Sequence, residues 1–66
     1  MNIRVNDQQV VWQFSIGQPV KFHGMRAFIL ARQITTSGEQ IFYIRIKGDH
    51  VDRPTRAVRS GYLVAN

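Results

Sequence analysis

The sequence of 66 residues has no cysteine, one glutamate, two lysines, two leucines and two prolines. Each shortage excludes something. Without cysteine no disulfide can brace a small fold, and a structural zinc would find only His23 and His50 as nitrogen ligands. Neither a metal nor a cofactor is expected. Scarce Glu, Lys and Leu, with only four Ala, leave few of the residues that favour helix. The longest apolar stretch, Ala27 to Ala31, is far too short to cross a bilayer, so no membrane partner is expected. The opening MNIRVNDQQ lacks the basic region and apolar run of a signal peptide. The expected compartment is the cytoplasm.

The residues present point to β structure. Val and Ile number seven each, with four Phe, two Tyr and one Trp. Branched and aromatic side chains suit a pleated, half-buried surface. An apolar fraction of 44% is enough for a packed core, and the length suits one domain over residues 1–66. A chain of this size buries only about 60% of its unfolded surface, while ordering costs roughly 1.5 kcal/mol per residue. Self-association is an expected supplement to so small a core.

Along the chain, Ile3 and Val5 alternate with polar neighbours before an Asn6-Asp7 turn. Val10 to Phe14 follow as a second apolar run, forming with the first piece either a hairpin or one irregular strand. Gly17 and Pro19 then punctuate the chain, and Val20-Lys21-Phe22-His23 alternates inward and outward until Gly24. Residues 26–34 form a short apolar run whose periodicity fits a buried strand or a buried helix; no Ser, Thr, Asp or Asn precedes it to cap a helix, and strand is the expected state, with helix the alternative. TTSGEQ then signals a hairpin into Gln40 to Lys47. A two-residue loop at Ser37-Gly38 would set Arg32 opposite Tyr43 and Ala31 opposite Ile44. That register places Ile29, Ala31, Phe42, Ile44 and Ile46 in the core, with Phe28, Leu30, Arg32, Tyr43, Arg45 and Lys47 on the other face. A longer loop with a bulge would change these pairings. Pro54 can open one helical turn over Thr55 to Val58, Gly61 can close it, and Tyr62 to Val64 reads as a final strand.

This order resembles the SH3-like barrels, including the KOW and Tudor-type modules. The stretches that carry the resemblance are Ile16-Gly17-Gln18-Pro19-Val20-Lys21-Phe22 and Pro54 through Leu63. It implies an all-β domain, a five- to six-stranded SH3-like barrel with one short helical turn before the last strand. The layout is also similar to that of a small plasmid-borne dihydrofolate reductase. The Gln-Ile-Tyr active-site signature of that enzyme has no counterpart, because the equivalent stretch reads Arg56-Ala57-Val58-Arg59. Fold alone carries no function.

Catalytic groups are few. The acids are Asp7, Glu39, Asp49 and Asp52, and Asp49-His50-x-Asp52 reads as a solvated loop rather than an acid/base pair. No enzyme activity and no small-molecule substrate are expected. Charge is the feature with direction: nine Lys and Arg against four Asp and Glu give +5, and seven of the nine are Arg. The guanidinium fork fits phosphate and stacks on rings. Arg45, Lys47, Arg53, Arg56 and Arg59 cluster late in the chain, and Tyr43 shares the strand face of Arg45. An exposed aromatic within a basic stripe is how curled β modules hold single-stranded nucleic acid. The expected interface is Arg32, Tyr43, Arg45, Lys47, Arg53, Arg56 and Arg59, and the expected partner is DNA or RNA. The alternative is an assembly module that forms a homo-oligomer through a strand edge or an apolar patch around Phe28 and Leu30.

Overall fold

The structure, a computed structural model, describes residues 10–48 and 52–66. Five strands follow in order: β1 (Pro19–Phe22), β2 (Met25–Ile34), β3 (Gln40–Ile46), β4 (Thr55–Arg59) and β5 (Leu63–Ala65). They make one antiparallel sheet ordered β4-β3-β2-β1-β5. The all-β expectation holds, and residues 26–34 are strand. Among the described residues no helix is long and apolar enough to cross a membrane. The Ile3, Val5 and Asn6-Asp7 readings and the Asp49-His50 motif lie outside the described residues. Val10 to Phe14 form no strand.

Each connection has a local cause. His23 and Gly24 turn β1 into β2 with φ of 50° and 78°, the paired positive values of a two-residue hairpin turn. His is among the few non-glycine residues enriched at such angles. The β2–β3 loop has three residues, Thr36 to Gly38, closed by Thr35 N–H donating to the Glu39 carbonyl at 2.8 Å. A two-residue Ser37-Gly38 loop would need positive φ at Ser37. The longer loop confines that demand to Gly38, at 89°.

That single added loop residue shifts the register, and a bulge shifts it again. Near the loop Arg32 pairs with Phe42 and Ala31 with Tyr43, whereas beyond Leu30 the partners are Ile29 with Ile44 and Ala27 with Ile46. Leu30 is the extra residue. Without it Ile29 would oppose Arg45, and the core residues of β2 and β3 would lie on opposite faces. The bulge keeps Ile29 in the core, as expected, but Ala31 is exposed rather than buried.

One face of the sheet carries the core. Val20, Phe22, Ala27, Ile29, Phe42, Ile44, Ile46 and Leu63 are buried, and Trp12, Phe14 and Val58 pack against them. Phe42 is fully buried and meets Phe14 and Trp12 edge-on, with ring centroids 5.3 and 6.2 Å away. The segment bearing those two rings is held across the core face by side chains. The Gln40 amide donates to the Val11 carbonyl at 2.8 Å and accepts from Gln13 N–H at 3.0 Å. Among the described residues Trp12 Nε1 is buried with no hydrogen-bond partner, an arrangement that costs about 1–3 kcal/mol and that the ring contacts must outweigh.

The helical turn lies later than expected. Thr55 to Arg59 pair with β3 at all five positions, and the short 3-10 turn occupies Ser60–Tyr62. One isolated helical turn is an unfavourable nucleus, and a five-residue ladder displaces it.

Candidate nucleic-acid interface

The face opposite the core is built from cross-strand rows, because directly paired residues point the same way. Lys21 pairs with Arg26 on one side and Val64 on the other, and Lys47 N–H donates to the Arg26 carbonyl at 2.8 Å. Three cations, on β1, on β2 and just past the end of β3, therefore form one row. The next row holds Pro19, Phe28, Arg45 and Thr55, and the one after it Ala31, Tyr43 and Ala57. Lys21, Arg26, Arg45 and Lys47 are all exposed. Strands about 4.8 Å apart hold these charges within one or two side-chain lengths of each other.

Phe28 sits among them, half-buried. With Arg26 and Lys47 it lines an open cavity of about 260 Å³ that also includes Gly17, Pro19 and Asn66. Tyr43 is half-buried as well, and its hydroxyl donates to Gln33 Oε1 at 2.7 Å. The hydrogen bond holds the ring along the sheet.

Electrostatics favour an anion here. Among the described residues one ion pair forms, Arg59 Nε to Glu39 Oε2 at 3.3 Å, and it lies at the other end of the sheet. Two like charges about 6 Å apart repel by about 0.7 kcal/mol at the dielectric of water, and salt screens this over about 8 Å. A polyanion would replace several such repulsions with attractions. No single pair is strong enough to hold a ligand alone.

The expected interface residues divide by position. Tyr43, Arg45 and Lys47 lie together on this face as expected. Arg32 does not. The register turns it to the core face opposite Phe42, where its guanidinium sits 4.5 Å from the Trp12 ring centroid and donates to the Phe14 carbonyl at 3.0 Å. Arg56 also turns to the core face, opposite Ile44, with its guanidinium 5.9 Å from the Phe22 ring. Arg59 belongs to the outer face but is held by Glu39, and Arg53 is exposed before β4. Lys21, Arg26 and Phe28 were missing from the expected set. Alternation along Val20 to His23 pointed Lys21 outward, but only strand pairing brings it to Lys47.

The role of Arg32 is structural, and a conservative change tests it. Arg32→Lys keeps the charge but loses the planar stack and the fixed donor. It should lower stability by about 1–2 kcal/mol in urea unfolding. Unfolding coincident with that of the parent protein would mean that Arg32 does not hold the Trp12–Phe14 segment. Comparison with protein-family models, curated proteins and solved structures finds no match for this chain.

Proposed function

We propose that this chain is a small basic nucleic-acid-binding module of the cytoplasm, built as an SH3-like barrel. The observation that carries the function is the gathering of Lys21, Arg26, Arg45 and Lys47 around the Phe28 cavity on the outer face. The barrel reading is supported by the continuous β1-to-β4 meander, the 3-10 turn before β5 and the return of β5 to β1. In this reading the four cations follow the phosphate backbone and a base stacks in the Phe28 cavity, with Tyr43 as a second platform. Binding rather than catalysis is the role: Glu39 is tied to Arg59, and Asp52 is an exposed acid in the loop before β4.

Fluorescence anisotropy with labelled single-stranded DNA and RNA at two salt concentrations tests it. Affinity should fall steeply between 50 and 200 mM salt as phosphate counterions are released. Tyr43→Ala should weaken single-strand binding by up to about 1–3 kcal/mol while leaving the salt slope nearly unchanged, because stacking carries no charge. A change in slope instead would place Tyr43 outside the stacking surface.

A second reading, assembly with copies of itself, rests on Leu30. The bulge holds Leu30 out at 41% exposure, two residues beyond the half-buried Phe28. Sedimentation at micromolar concentration should then show a dimer or larger that Leu30→Ser dissociates and salt leaves intact. A monomer at all concentrations rejects this reading.

A further inference from the structure

Among the described residues β4 is an edge of the sheet, and the hydrogen-bond pattern shows which of its backbone groups face away from β3. Ile46 N–H donates to the Pro54 carbonyl at 2.6 Å, in the same register as the β3–β4 pairs. Bonded pairs alternate in an antiparallel ladder, so Arg56 and Val58 bond to β3. Thr55, Ala57 and Arg59 direct their N–H groups away from it. Among the described residues no strand pairs with that side.

A cleft lies directly along this edge. It is open, about 300 Å³ in volume, and lined by Phe22, His23, Ala57, Val58, Arg59 and Tyr62. Its aromatic wall is continuous: the His23 ring lies 4.2 Å from Phe22 and 6.2 Å from Tyr62, centroid to centroid. Phe22 belongs to the buried core, whereas His23 and Tyr62, at 58% exposure, carry the wall from the core out to the surface. Two arginines flank it, Arg56 over Phe22 on the core side and Arg59 on the outer side.

We propose that the β4 edge takes an extended acidic peptide of a partner protein as an added antiparallel strand. Main-chain hydrogen bonds supply affinity in such a mode, and pockets for alternate side chains supply specificity. The register then dictates the peptide. The residue opposite Ala57 exchanges backbone hydrogen bonds with it and points outward. The residue opposite Val58 points to the core side, into the aromatic cleft, and is aromatic. The residues opposite Arg56 and Arg59 are acidic, and the one opposite Thr55 is free. Read from its N-terminus, the segment is Glu-Phe-Val-Glu-Thr. Charge selects this occupant over a second copy of the chain, which would bring another +5 to an edge already carrying two arginines. The site lies at the edge and on the core side, apart from the proposed nucleic-acid face, and does not depend on that reading.

Isothermal titration and amide NMR with acetyl-Glu-Phe-Val-Glu-Thr-amide test it. Saturable binding is expected, with the Ala57 and Arg59 amide signals moving most and that of Val58 least. The peptide with Gln in place of both Glu residues should bind about 5-fold more weakly. Glu39→Gln should tighten binding about 2-fold, since it releases Arg59 from its only ion pair among the described residues. Ala57→Pro deletes an N–H that faces away from β3, a position where an edge strand tolerates proline. It should lower peptide affinity at least 10-fold and leave both the melting temperature and nucleic-acid binding near those of the parent protein. Absence of saturable binding at millimolar peptide overturns the proposal, as do equal affinities for the Glu and Gln peptides. So does a dimer that Ala57→Pro converts to monomer, which would give the edge to a second copy.

Discussion

Phe42→Ala should leave the protein largely unfolded at room temperature. Phe42 has no exposed surface, lies at the centre of β3 and receives the edges of both Trp12 and Phe14. Truncating a buried Phe removes about 3–5 kcal/mol, because the transfer energy is lost and the neighbours only partly collapse into the space. A core in a chain this short supplies no more than about 3–5 kcal/mol of net stability. The two quantities are equal, so the variant sits at or beyond its unfolding midpoint. Circular dichroism and urea titration would show it. Tyr43→Ala, one residue along and on the other face, is the contrast, because its ring is half-buried and borders no core side chain across the sheet. It should retain a cooperative transition. A Phe42→Ala protein within 1 kcal/mol of the parent, about 4–8 °C in melting temperature, would mean that the core is centred elsewhere.

Replacing Lys21, Arg26, Arg45 and Lys47 together by Gln should abolish the salt dependence of nucleic-acid binding and most of the affinity. Four phosphate contacts on a single strand give a slope of about −2.8 in log K against log salt, or about 50-fold between 50 and 200 mM. Each Gln should remove about 0.7 from that slope, whichever of the four is changed first. Arg32→Gln is the discriminating control. It removes the same formal charge, but from a guanidinium stacked on Trp12 on the core face. Its slope should match that of the parent protein while its stability falls. If Arg32→Gln and Arg45→Gln flatten the slope equally, charge number rather than the outer face governs binding. If the parent protein binds neither DNA nor RNA at low salt, these four cations only keep the surface solvated, and assembly becomes the leading reading.

Some of the candidate site was legible before folding and some was not. Arg45 and Lys47 alternate with Ile44 and Ile46, and period two along a strand is a local property that the chain displays directly. Their outward direction and the neighbouring Tyr43 followed from that alone. Arg26 sits at the start of an apolar run and looks like a flanking charge. Its value lies in being opposite Lys21 on one side and next to Lys47 on the other, which are facts of pairing between residues as many as 21 apart in sequence. Clustering along the chain misled in the other direction. Arg45 and Arg56 belong to the same late cluster of cations, yet they point to opposite faces.

Residue types and their local order set the chemistry of the parts: an all-β chain from its branched and aromatic residues, a hairpin at Thr35–Gln40, an inward Phe42, Ile44 and Ile46, and a surplus of five positive charges. Which of these parts meet depends on strand pairing. The β2–β3 register depends on whether the loop has two or three residues and whether Leu30 is counted in the ladder, and each step of one residue turns a side chain to the other face. Propensity barely distinguishes those choices. What separates them is the burial of Ile29 against Ile44 and Ala27 against Ile46, which exists only once the strands are paired. The three-residue loop carries Arg32 away from Tyr43 and sets it on Trp12, and the bulge at Leu30 then returns Ile29 to that same face. Apolar burial thus fixed the position of the charges, because the ladder must satisfy the core first and the cations ride on whichever face remains.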